Sequence, residues 1–472
     1  MAEKRTSSRA AGAVWRSRLL LAACVALASC ILESPPSSDE LREQVLPTTP
    51  LPDQWTAGPA TPGDVERDWL ATFADTKLEE LVAEAMKYNG DLRVAASRVE
   101  QAAAYVRVAG GELYPAVDAL GRAGGEMSGD NSGLQGVLVS ASWELDVWGR
   151  VRYSVRSTKE QHASADADFA FARQSLAALV AKSWFLATEA ALQRDLLSEM
   201  VDAAAKLLEL AEQRLRVGIG SELDVASARV NLQTYRDSLR QVQLAHEQSL
   251  RALELLVGRY PAAEITAPTQ LGSLVPTVPA GLPSELLERR PDVIAAEQRV
   301  AAAFSRVKEA QAARLPRISL TGSGSDITSD LFVLQDRDNP VWSAGGSVFA
   351  PLFTGGALKA QVEVRTAEQK QAIAQYIQTA LKAFGDVENA LSSEFALQDR
   401  EAILASAAID AERALRLAET RYRVGSGDLR SVQQQQLAYH VSRMNLLRVQ
   451  SERRVQRVNL HLALGGDFAV NA

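Results

Sequence analysis

Few residues in this chain have the types and spacings that catalysis or metal binding needs. The four histidines, His162, His246, His440 and His461, are scattered, and none lies at a ligand spacing from a cysteine or another histidine. His246 falls on a helical seam, which suits a packed imidazole better than a reacting one. Gly322-Ser323-Gly324-Ser325 is glycine-rich but opens no helix, so it lacks the setting of a phosphate cradle. Gly355-Gly356 ahead of Lys359 lacks the Walker spacing. No enzyme, metal site or cofactor is expected. The chemistry that remains is arginine and glycine at two places, Arg214–Ser221 (RLRVGIGS) and Arg421–Asp428 (RYRVGSGD). Arg-x-Arg-Val-Gly-x-Gly matches residue for residue at an offset of 207. Gly218, Gly220, Gly425 and Gly427 let the backbone reach positive φ and reverse. Arg214, Arg216, Arg421 and Arg423 offer ion pairs and hydrogen-bond donors. Those donors either meet a partner or hold neighbouring helices.

Each motif ends one long helical run and opens another, so each reads as the tip of an antiparallel helical hairpin. Val201, Ala204, Leu208, Ala211 and Leu215 step by three and four. Ala408, Ala411, Leu415, Ala418 and Tyr422 do the same 207 residues later. Beyond the first tip, Ala228, Leu232, Tyr235, Leu239, Val242 and His246 continue the stepping. This is a narrow coiled-coil seam with alanine where helices approach closely. The run 151–217 has no proline, and at about 1.5 Å per residue it predicts one helix, or two stacked, of about 100 Å. Such a length suits a tube.

The strand signals are short. In Val137–Val147 every odd position is apolar, and Ser140, Ser142, Glu144 and Asp146 fall on the even ones, a period of two. Val117, Ala119, Gly121 and Ala123 alternate more weakly. Ile318 and Leu320 alternate with Ser319, Thr321 and Ser323, and Ala344, Val348, Ala350 and Leu352 follow. Alternation over about ten residues fits an outer-membrane barrel strand, although taken alone it fits a half-buried soluble hairpin better. Four strands cannot close a pore alone, so a spanning barrel would have to be shared between chains.

The halves repeat. Asp91–Pro115 aligns with Asp292–Pro316 at an offset of 201, which grows to 206 by Trp148-Gly149 and 207 at the tips. Each half predicts helix, strand, strand, long helix, tip, long helix. The first helix covers roughly 76–111 in one half and 284–312 in the other, with Ser284 as an N-cap and Pro115 and Pro316 as stops. Proline-rich 260–283 reads as an extended linker packed across the outside. The domains are therefore a signal peptide (1–29), an extended leader (30–63), a first repeat (64–259), the linker (260–283) and a second repeat (284–472).

A net charge of −7 with interspersed signs gives no reason to expect nucleic-acid binding. Basic residues and the apolar run Leu19–Ser29 mark a targeting segment. Its end, Leu27-Ala28-Ser29-Cys30, resembles the lipobox of bacterial lipoproteins, in which the Cys30 thiol is acylated. Ile31 after it favours the outer membrane. The covalent lipid is the one non-protein group expected. No later stretch reaches the roughly 18 apolar residues of a spanning helix.

GLPSELLERRPDVIAAEQRVAAA (281–303), ARLPRISL (313–320), the two tips and Leu462–Gly466 together resemble the TolC-like outer membrane factor family, in particular its lipoprotein branch. The resemblance covers about 64–468. It implies an α+β membrane protein: a homotrimer whose chains pool four strands each into a twelve-stranded β-barrel, continued by a periplasmic helical coiled-coil barrel. It implies an outer membrane channel subunit of a tripartite efflux pump, a passive exit duct for drugs or other small toxic solutes. The tips, Arg214, Arg216, Val217, Gly218, Gly220, Arg421, Arg423, Val424, Gly425, Gly427 and Asp428, would meet a periplasmic adaptor protein that bridges to an inner-membrane RND-type transporter. In the family, acidic residues line the closed aperture just past the tips. Asp224 stands at the matching position, whereas Ser431 and Gln434 stand where some members carry Asp, so the acidic ring is weaker here and Asp428 is left to supply charge. The channel reading places loops 127–134 and 326–340 at the cell surface. Two other readings share the pattern, a conduit for type I protein secretion and a lipid-anchored coiled-coil scaffold without a pore.

Overall fold

The computed structural model describes residues 32–45, 47, 50–58, 65, 68–122, 134–274, 279–329 and 341–468. Cys30, the signal peptide and most of both surface-loop segments lie outside them. The order is α1 (Ser38–Val45), a 3-10 turn (Ala71–Phe73), α2 (Thr76–Tyr88), α3 (Gly90–Gly111), β1 (Ala116–Arg122), β2 (Leu134–Leu145), α4 (Arg150–Arg216) and α5 (Glu222–Leu256). Then come α6 (Pro283–Arg289), α7 (Pro291–Ala312), β3 (Arg317–Ser329), β4 (Val341–Phe349), α8 (Ala357–Arg423) and α9 (Leu429–Ala463). The run expected as one helix or two stacked is a single α4 of 67 residues, and α8 has 67 as well.

Several boundaries differ from the sequence reading, each for a local reason. The 76–111 helix is two, because Asn89 turns extended and its side chain caps α3, accepting from Leu92 N at 3.0 Å. The 284–312 helix is also two, because Arg290 precedes Pro291, which disfavours helical geometry there. Leu282, not Ser284, is the N-cap of α6, and Pro283 occupies the first helical position, where its fixed φ fits and no N–H is missed. The leader is not wholly extended. Ser37 and Glu40 exchange hydrogen bonds in a capping box (3.0 and 3.3 Å) that starts α1, and Leu41 and Val45 are buried. β2 stops at Leu145, since Asp146 is used to cap α4, so Val147 is not in the strand. β4 stops at Phe349, ahead of Pro351, which leaves Ala350 and Leu352 outside. Leu134 and Asp326–Ser329 belong to strands rather than loops.

The chain divides into two compact units, each drawn from both halves. The first holds the described residues of Met1–Val45, Arg98–Asp166 and Ala295–Gln378. Its sheet is antiparallel throughout, in the order β1-β2-β3-β4. Register sorts the side chains. Val117, Val139, Leu320, Val348 and Trp342 lie on one face, and all are exposed. Ser140, Ser142, Ser319, Thr321, Ser323, Ser343 and Ser347 lie on the other, together with Leu120, Leu138 and Phe349. The Ser323 and Ser343 hydroxyls share a hydrogen bond of 2.7 Å. A Cβ at Gly324 would fall 2.6 Å from the Trp342 ring, so glycine lets the indole lie across the neighbouring strand.

The second unit holds Leu46–Ser97, Ala167–Ile294 and Thr379–Ala472, again for the described residues. Its largest core joins Trp69, Phe73, Leu81, Trp184, Leu253 and Val458. His461 stacks on Trp69 (centroids 5.7 Å apart), and burial drives its pKa down to about 3. Ile265, in the linker, is buried in the same core, so the linker does not merely pass over the surface. The RRPD stretch also acquires a role. Buried Arg290 forks onto Asp292 (2.8 Å) and Asp386 (3.2 Å) and donates to the Ala463 carbonyl (3.3 Å) at the end of α9. Smaller apolar clusters continue toward the tips along the expected seam, around Ala204, Leu232 and Tyr235, and around Ala211, Ala228 and Tyr422.

Candidate functional site: the paired helical tips

Both tips close in the same way. At the end of α4, Ile219 N donates to Arg214 O (3.0 Å) and Gly218 N to Leu215 O (3.0 Å). At the end of α8, Ser426 N donates to Arg421 O (2.9 Å) and Gly425 N to Tyr422 O (3.1 Å). These are Schellman closures, and each needs one left-handed residue. Gly218 (φ 79°) and Gly425 (φ 80°) supply it.

The second glycine of each pair does something else, which corrects the expectation that both take positive φ. Gly220 and Gly427 do not. A Cβ at Gly220 would lie 2.8 Å from Leu215 N, and one at Gly427 would lie 3.0 Å from Arg421 Cβ. They are glycine because the chain folds back hard against the last turn of its own helix.

The returning helices start on side-chain caps that sequence reading missed. Ser221 Oγ accepts from Asp224 N (3.1 Å), and Asp428 Oδ1 accepts from Ser431 N (2.7 Å). Asp428 is therefore a helix cap and not simply a spare tip charge. The Ser431 N–H holds its carboxyl below the ordinary aspartate range. The cue lay in the sequence, Ser-x-x-Asp and Asp-x-x-Ser at the offset already established.

The arginines divide. Arg216, Arg421 and Arg423 are exposed, as are Val217 (70%) and Val424 (71%). Arg214 is half-buried and turns inward. It donates to the Tyr422 carbonyl at 2.9 Å, with its guanidinium 4.7 Å from the Tyr422 ring centroid. One tip thus holds the other through a residue that periodicity marked only as part of a seam. Burial pushes the Tyr422 phenol above its ordinary pKa; Arg214 pulls it down and Asp224 adds to the rise. The Tyr422 hydroxyl is buried with no hydrogen-bond partner among the described residues. Beside it, Glu199, Asp202, Lys206, Glu419 and Arg423 line a cleft of about 500 Å³ floored by Leu207 and Leu210. Burial raises the Glu419 carboxyl, against the pull of Arg423.

Of the three aperture candidates, Asp224 sits in the first turn of α5, close enough to affect Tyr422. Ser431 is the partner of Asp428, and Gln434 is exposed one turn further on. What the tips can do chemically is bind and release: exposed valines and guanidiniums face outward, and a breakable polar clamp lies within.

The signature of the outer membrane efflux protein family matches residues 81–259 and 282–466, leaving out the proline-rich linker. The chain belongs to that family. Among its relatives, the pyoverdine export outer membrane protein OpmQ of Pseudomonas aeruginosa is 30% identical, with 95% of this chain and 96% of the relative covered. The cation efflux system protein CusC of Escherichia coli is 29% identical, with 95% and 98% covered. Among solved structures, the outer-membrane channel OprN superposes with a TM-score of 0.79 at 28% identity, covering 89% of this chain and 97% of that one. This efflux protein is an outer membrane channel component of an efflux pump. The four antiparallel strands and the mostly helical remainder agree with that fold.

Proposed function

We propose that this outer membrane efflux protein works as a homotrimer whose sheets join edge to edge into one twelve-stranded barrel, continued by a periplasmic tube of the long helices. The support is that β1 and β4 each have one edge unpaired among the described residues, and that one sheet face is apolar and exposed while the other is rich in serine. The chain is two repeats of one unit; α4 and α8 have 67 residues each, and α5 and α9 have 35 each. A lipid on Cys30 adds an anchor in the outer membrane.

The observation that carries the mechanism is the Arg214–Tyr422 clamp. The duct is passive and has no catalytic role. Energy comes from an inner-membrane RND-type transporter, and a periplasmic adaptor binds the tips. An adaptor that binds better to separated hairpins shifts the population toward the open state, and separation requires that clamp to break. Val217, Val424, Arg216, Arg421 and Arg423 are the surface it would meet, and Asp224, Ser431 and Gln434 would line the aperture. One relative is named for pyoverdine export and another for cation efflux; in this reading the transporter chooses the cargo, and drugs or other small toxic solutes are the expected class.

The test is single-channel conductance in a planar bilayer, with mass measured in mild detergent. A trimer with small openings that widen in Arg214→Ala is expected. A monomer that never inserts would instead support a lipid-anchored scaffold.

A further inference from the structure

The two returning helices of the second unit meet along a seam that the tip clamp does not include. α5 and α9 touch in two successive rungs, one helical turn apart on each helix. Asn231 Nδ2 donates to Gln436 Oε1 at 3.2 Å, and Tyr235 meets His440 in a T-shaped contact, with ring centroids 5.7 Å apart at 74°. Gln436 and Tyr235 are buried, so one partner of each rung is out of water. The second rung has no twin. Gln233 stands at the position that aligns with His440, and Ser442 at the one that aligns with Tyr235, so neither counterpart titrates.

His440 is half-buried, and its Nδ1 is buried with no hydrogen-bond partner among the described residues. A neutral imidazole tolerates this, because its Nδ1 can be left as a bare lone pair. An imidazolium does not, because both ring nitrogens then carry N–H and the Nδ1–H would have no acceptor. The groups packed around it do not compensate. From α5 comes the Tyr235 ring, whose phenol is kept neutral by burial. Glu199 on α4, Glu412 and Arg416 on α8, and Arg443 on α9 itself act on the neighbouring Tyr439, carboxylates and guanidiniums in equal number. At His440 burial prevails and lowers the pKa.

Separation of the hairpins, the motion proposed above for opening, parts α5 from α9 and gives His440 to water. There its pKa returns toward the ordinary histidine value of about 6.5. The separated state therefore binds a proton at a pH where the closed state does not. As pH falls below about 6.5, proton uptake favours separation, by about tenfold per chain one unit lower.

We infer that the α5–α9 seam is an acid-sensitive latch: neutral His440 lets it close on Tyr235, and a proton on His440 holds it open. The inference rests on the gate proposed above and adds to it a signal that opens the duct without an adaptor.

The test is single-channel open probability of the full chain in a planar bilayer, at about pH 7.5 and about pH 5.5, a window in which histidine titrates and ordinary aspartates stay ionised. Opening should rise about tenfold or more in acid. His440→Gln, which installs the residue of the aligned position, should cut that response to less than about twofold, read against its own opening at the higher pH. Glu419, whose carboxyl is raised by burial in the tip cleft, is the competing source, and Glu419→Gln should keep the response. No acid response in the unsubstituted chain, or one that survives His440→Gln, overturns the latch. A second chain leaves His440 in place and carries Asn231→Cys with Gln436→Cys, bridged by a short bis-methanethiosulfonate. Bridging should abolish the acid response and reductant should restore it; a response that persists when bridged also overturns the latch. Arg214→Ala tells this apart from the gate itself. If it raises opening while the acid tests fail, only the latch is lost. If neither it nor bridging changes opening, the gate falls as well.

Discussion

The two tips share a motif, a closure and a pair of glycines, yet they are held differently. Arg214 reaches across to the Tyr422 carbonyl and ring, whereas Arg421 at the aligned position is exposed. Leu215 in one tip stands where Tyr422 stands in the other, and only the aromatic ring offers the guanidinium a face. Ser221 caps one returning helix and Asp428 the other, so only the second cap titrates. The two motifs build equal turns, and the residues that differ between them make one hairpin the holder and the other the held. In the proposed gate, separation of the hairpins would break the Arg214–Tyr422 contact and the Asn231–Gln436 hydrogen bond (3.2 Å) between the returning helices.

The largest effect should come from replacing the left-handed glycine. Gly218→Pro or Gly425→Pro forces φ from about +80° to about −65° and deletes a closing N–H, opening the local turn by about 3 kcal/mol or more. Efflux should be lost with oligomer mass unchanged, and wild-type efflux in both variants would sink the role of the tips. Next come the close-approach glycines. Gly220→Ala places a methyl 2.8 Å from backbone, while at Gly427 the nearest backbone atom lies at 3.2 Å, so the first should cost more, within about 1–3 kcal/mol. Hydrogen exchange of each tip peptide reads the order directly, and a reversed order would mean the second tip is the tighter one.

Arg214→Ala removes a charged hydrogen bond worth about 2 kcal/mol and should raise channel opening, whereas Arg421→Ala should change stability by less than about 0.5 kcal/mol. Equal conductance in the two variants would refute the inequality drawn here. The smallest effect is that of pH. The Asp428 carboxyl titrates below its unfolded value, so its stabilisation of α9 is fully present above the ordinary aspartate pKa and is lost as pH falls through the depressed folded value. Protection of residues 429–433 against exchange should therefore fall in acid, while that of residues 222–226, capped by a serine, should not follow; parallel loss at both would show that the cap is not the cause.

Much of this was legible beforehand because it is local. Helical stepping located α4, α5 and α8, the matched pattern of the halves placed α9 after the second tip, the glycine motifs located the turns, and alternation located β2 and β3. The misread boundaries, at Asn89, Arg290, Leu145 and Phe349, are places where one side chain or one proline overrides a periodicity that averages over many residues. Sequence also showed both pairs of tip glycines, but not that the members of each pair serve different ends, since conformation and close approach leave the same residue type.

What the sequence determined by itself is whatever depends on neighbours a few positions apart: the long helices, the strands and the doubled turns. What only the tertiary structure decided is which repeated residue acts. Arg214 meets Tyr422 across 208 positions, and Arg290 meets Asp386 and the Ala463 carbonyl across 96 and 173. A guanidinium can serve any carbonyl or carboxylate within reach, and reach across the chain is set by how the helices pack, which periodicity does not specify.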